Sequence, residues 1–187
     1  MEPGSPEDTE TSTLEAFADT IIPGAKRFPE DRAISGVDDT PGAVEAGALA
    51  LLHTEATGVT VGLPYLAGAL NQHAQAFADE QGIVLDDDVP PFVALDHDAR
   101  TRLVLRLTTP GHPEKDGWVG LALFCNMAYD SAAHLHTADA IRAGHPGLIA
   151  MGWDVPDADG LWRFPQYTYG RKLAEEHPDT TPSGSPA

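Results

Sequence analysis

"EKDGWVGLALFCNMAYDSAAHLHTADAIRAG", Glu114 to Gly144, is the stretch whose reading decides the fold. In its first half Trp118, Val119, Leu121, Leu123, Phe124 and Met127 point to nearly every side of a helix. A helix that is apolar all round is buried by its neighbours. Gly144 suits a helix C-terminus and Pro146 cannot continue one. The stretch therefore predicts one long helix, from Glu114 or Asp116 to Ala143, at the centre of a small bundle.

Four more helices are expected upstream. "STLEAFADTIIPG" starts at a Ser12 or Thr13 cap, turns Leu14, Phe17, Ala18 and Ile21 to one face, and stops at Pro23-Gly24. "TPGAVEAGALALLH" has Thr40 as cap, Pro41 at the first helical position and an Ala/Leu-rich body to His53. Leu63, Leu66, Leu70, His73 and Phe77 form a stripe at spacings of three and four, ended by Gly82. The fourth runs from Asp96 to Pro110-Gly111. No alternating run of useful length signals a strand. The expectation is all-α: about five helices around a buried central one.

The flanks differ. Residues 1–11 lack apolar content and read as a disordered acidic tail, ahead of a helical domain at 12–144. Residues 145–173 read as an extended segment. It carries Trp153, Trp162, Phe164, Tyr167 and Tyr169, and it either wraps the bundle or anchors a partner. Residues 174–187 return to disorder.

The chain has 29 acidic and 11 basic residues, a formal charge of −18. Such a surface repels phosphate backbones and anionic headgroups, which argues against nucleic-acid and membrane partners and permits docking on a basic one. No apolar run reaches the ~20 residues a bilayer requires. "MEPGSPEDTETST" has no basic n-region, apolar core or twin-arginine pair, so a cytoplasmic location is expected. Cys125 has no partner for a disulfide and reads as a small buried hydrophobe.

The last half of the opening stretch crowds Asp130, His134, His136, Asp139 and His145 together. His-x-His chelates on a strand, but on a helix these two rings point about 200° apart. The helical neighbours are Asp130 with His134, and His136 with Asp139. Two readings stay open. Asp130–His134 is a polar clasp inside a packed bundle, or it seeds an acid/base or metal site with His136 and His73. His73, on its own stripe, is either a core histidine or a hydrogen-bonding partner of the central helix. The Glu-x-x-His pairs of di-iron bundles are absent, and no metal site is assigned. Signatures of acyl transfer, of nucleotide binding and of zinc hydrolases are also absent.

"TLEAFADTIIPG" followed by "DTPGAVEAGALALL" resembles the gluconate 2-dehydrogenase subunit 3 (small subunit) family. "VPPFVALD", "AYDSAAHLHTADAIRAGHPGL", "GLWRFPQYTYGR" and "TTPSGSPA" resemble, more closely, a branch of that family with unassigned function. The resemblance implies an accessory subunit of a large FAD-dependent oxidoreductase of the glucose–methanol–choline type, with the flavin held by the partner. It assigns no role to His134 or to Trp162–Arg171. The alternative is a stand-alone small enzyme using His73, Asp130 and His134. Self-association through the aromatic segment is a third reading.

Overall fold

Eight α-helices account for most of residues 5–155, which with residues 178–179 are the part described by this computed structural model. They are α1 (Pro6–Ile21), α2 (Ala48–Leu52), α3 (Leu63–Gln81), α4 (Pro91–Ala94), α5 (His97–Thr108), α6 (Lys115–Ser131), α7 (Thr137–Arg142) and α8 (Pro146–Ala150). Two 3-10 turns, Glu55–Thr57 and Thr60–Gly62, join α2 to α3. No strand occurs among the described residues, so the fold is all-α as expected. Helix α6 packs on α1, α2, α5 and α8, while α3 lies against α1 and α4. Their shared core includes Leu14, Phe17, Leu52, Leu70, Phe92, Leu103, Trp118 and Leu121. The Phe17 ring sits 6.5 Å from Phe92 and 6.4 Å from Trp118, tying α1 to α4 and α6. Truncating such a fully buried aromatic costs about 3–5 kcal/mol.

Helix α1 begins well before the expected Ser12 or Thr13, inside the stretch read as a disordered tail. Ser5 accepts from the Asp8 N–H, and the Asp8 carboxylate accepts from Ser5, while Pro6 fills the first helical position. That capping box satisfies the exposed first turn without any apolar contact. Low hydrophobicity in this stretch was therefore no sign of disorder. Ser12 and Thr13 lie within the helix and bond back to the Thr9 carbonyl.

Helix α2 is shorter than expected. Residues 41–47 form turns because their backbone is claimed by the exit of α1: Ala43 donates to Ile22, and Ala25 donates to Thr40. Gly24 and Gly42 touch backbone to backbone, where any Cβ would overlap the opposing chain. The earlier part of the loop after α1 is fixed to α4 by Arg100. Its guanidinium donates to the carbonyls of Arg32, Ala33, Phe92, Val93 and Leu95 at 2.7–3.1 Å. Asp19 lies 4.0 Å away and accepts from the Gly24 and Ser35 amides. Burial pushes the Arg100 pKa down to about 10, with Asp19 opposing the shift, so the group stays charged and fully bonded.

The decisive difference lies in the opening stretch. Helix α6 stops at Ser131, and Ala132 takes a left-handed conformation, φ 48° and ψ 47°. That conformation costs about 1–2 kcal/mol for a residue with a Cβ. It folds α7 and α8 back, burying Ala132, Ala140 and Leu148 together. Ser131-Ala132-Ala133 contains no breaker, so the stop is tertiary in origin. Two further expectations fail with it. Helix α6 is not covered all round, since Leu123 and Met127 are 56% and 39% exposed. His145 onward is not simply extended, because it caps α8, which packs on α6. The chain divides into two units, Met1–Trp153 and Asp154–Ala187. No described helix is long and apolar enough to cross a membrane.

Candidate functional site

The four candidate side chains do not converge. His73 lies on α3 opposite Glu114, the residue before α6. Asp130 is in the last turn of α6, about 24 Å farther along the axis at 1.5 Å per residue. The break at Ala132 removes the helical register that would have set His134 over Asp130. Asp130 accepts instead from Asn126, at 2.8 Å. His136 precedes α7, exposed, with Nδ1 3.3 Å from Asp139, which also pairs with Arg142 at 2.7 Å. Among the described residues no group of three or more His, Cys, Asp or Glu is arranged to hold a metal ion.

Two histidine corners result, one at each end of α6. At the first, His73 Nε2–H donates to Glu114 Oε2 at 2.7 Å, and the Trp118 indole N–H donates to the same oxygen at 3.3 Å. His112 Nδ1 accepts from the Glu114 amide, and its ring stands edge-on to His73 at 5.8 Å. The hydrogen bond from His73 holds the Glu114 carboxyl below its ordinary range. An open groove of about 370 Å³, lined by Pro64, Tyr65, Gly68, Gln72, His73 and Glu114, runs past the pair. Chemically, a carboxylate on Nε2 leaves Nδ1 of His73 as a lone-pair base. Among the described residues no nucleophile stands poised beside that base. Cys125, the strongest nucleophile by type, is buried in the core, and burial pushes its thiol up to about 12.

At the second corner His134 meets no carboxylate among the described residues. Its ring lies 6.1 Å from that of His145 and against Gly47, whose φ is 89°. Its Nδ1 is buried without a partner. Burial, and secondarily His145, lower its pKa. His145 is itself buried: Nε2–H donates to the Ala46 carbonyl at 2.9 Å, and Nδ1 accepts from the Leu148 amide. The clasp reading of His134 thus has a different partner from the one its sequence suggested. The partners that the sequence pattern does not identify are Glu114, which enters it only as a helix start, and His145, which enters it only as one more member of the His/Asp cluster.

The sequence from residue 8 to residue 187 matches DUF5987, a family of unknown function. The chain belongs to that family. The DUF5987 match spans both histidine corners and the aromatic stretch after Trp153. No curated protein and no solved structure matches the chain. Of the expected partner-binding aromatics, Trp153 is 46% exposed. Trp162, Phe164, Tyr167 and Tyr169 lie outside the described residues.

Proposed function

We propose that this chain is a non-catalytic accessory subunit that docks on a large FAD-dependent oxidoreductase of the glucose–methanol–choline type in the cytoplasm. The observation that carries the reading is the apolar surface at the end of α8. Ile149 and Met151 are 61% and 57% exposed, and Trp153 follows them half-exposed. Large apolar side chains concentrated in five residues, next to an aromatic-rich stretch, are what an interface anchor provides. The resemblance of residues 13–53 to gluconate 2-dehydrogenase small subunits suggests the class of partner. The flavin would belong to that partner.

Co-expression of the full chain with a flavin oxidoreductase of that type tests the reading. The expected result is a complex that elutes with flavin absorbance, and loss of that complex in Ile149→Asp/Met151→Asp. Failure to retain or stabilise the flavoprotein would sink the proposal. The His73–Glu114 pair favours a second reading, a stand-alone acid/base catalyst, which His73→Gln would silence in any activity assay without changing the fold.

A further inference from the structure

Helices α7 and α8 carry their own small core, Ala132, Ala140 and Leu148 with Ile141 packed against it, separate from the core of the bundle. Three buried side chains hold a segment weakly. What fastens it to the Ala46–Gly47 turn is a pair of imidazoles. His145 bonds the Ala46 carbonyl through Nε2–H and the Leu148 amide through Nδ1. His134 lies on Gly47, where any Cβ would overlap Nε2. The backbone there is shaped around the ring.

Neither ring has room for a second proton. On His145 it would set an Nδ1–H against the Leu148 N–H. On His134 it would create a charge whose buried Nδ1 faces no acceptor. None of the neighbouring described ionisable groups bonds either ring. Glu45, just before the turn, lines a hollow with Asp19 and Arg27, and His53 closes α2. Asp130 accepts from Asn126, and Asp139 pairs with His136 and Arg142. No described carboxylate comes within 4.0 Å of His134 or His145.

We infer that the His134–His145 pair is an acid-sensitive latch: neutral imidazoles hold α7 and α8 on the Ala46–Gly47 turn, and protonation releases them. The lowered pKa of His134 agrees in direction. Release would uncover Leu148 and the end of α6 at Tyr129, whose carbonyl Gly147 covers at backbone contact. The latch requires no partner, so it stands whether or not the chain is an accessory subunit.

Hydrogen–deuterium exchange on the full chain, corrected for the intrinsic effect of pH, tests it. Between about pH 7.5 and about pH 5.5, protection of residues 133–150 should fall about tenfold relative to α1 and α3. His134→Asn should weaken that dependence, and His136→Gln, at an exposed ring, should preserve it. An NMR titration of the unmodified chain keeps the test independent of any variant's folding. The His134 midpoint must coincide with the loss of protection. Equal protection at both pH values, an unchanged dependence in His134→Asn, or a midpoint that does not coincide would each overturn the latch.

Discussion

The two ends of α6 use the same residue type in opposite ways. At the Glu114 end the histidine is part-exposed, faces a carboxylate and borders an open groove. At the Ala132 end the histidines are packed on backbone, with no carboxylate among the described residues and with glycines pressed to contact. An imidazole beside a carboxylate gains from a proton, whereas one packed among neutral groups loses by it. Histidine in a sequence therefore says little until its neighbour is known. The two corners should respond differently to added bulk, to acid and to loss of charge.

Bulk should separate them most. Gly147→Ala places a methyl into the Tyr129 carbonyl, a backbone atom that cannot swing aside. The expected loss is about 4 kcal/mol in urea unfolding, or complete detachment of α8. Gly68, beside the wet corner in the middle of α3, has nothing within 4 Å of a Cβ. Gly68→Ala should therefore stabilise the chain by about 0.5–1 kcal/mol through helix propensity. Equal effects at the two sites would erase the contrast.

Acid should separate them next. The folded pKa of His134 is below its ordinary value of 6.5, so the unfolded chain takes up the proton more readily. Its contribution to stability is fully present above 6.5 and is lost as pH falls below that value. Glu114 is also lowered, from 4.5, by its bond to His73, and so its contribution is present above 4.5 and is lost only as pH falls below it. Melting followed between the two values should thus show a loss of stability that depends on His134. A flat profile in that interval, or a drop unaltered by His134→Asn, would break the comparison.

Legibility in the sequence followed the range of the interactions. Helices α3 and α5 were readable because their signals are local: a stripe from Leu63 to Phe77 with Gly82 at φ 67°, and Asp96 accepting from the Ala99 amide. The start of α1 was equally local in Ser5-Pro6-Glu7-Asp8 but was hidden by weighing hydrophobicity over capping. The break at Ala132 and the turns before α2 were not local. Ala132 is a good helix former bent by the return of α8, and residues 41–47 are held by the Ile22 carbonyl across the loop. For the same reason the Asp130–His134 pair, an inference from uninterrupted helix, gave way to His134–His145. His73 as a bonding partner of the central helix was legible, since its place on the α3 stripe needed only a facing group. That group, Glu114, lies 41 residues away in sequence.

Loss of charge at the wet corner should have the smallest effect. In Glu114→Gln the amide oxygen still accepts from His73 and from the Trp118 indole, so only the ionic part of the contact disappears. The pair is 33% and 40% exposed, which screens it, and the expected cost is no more than about 0.5 kcal/mol. The informative readout is the His134 titration by NMR. Its midpoint, about two dozen ångströms away along α6, should stay where it was. If it moved, the corners would be one coupled system rather than two independent ones, and the ends of α6 could no longer be treated apart.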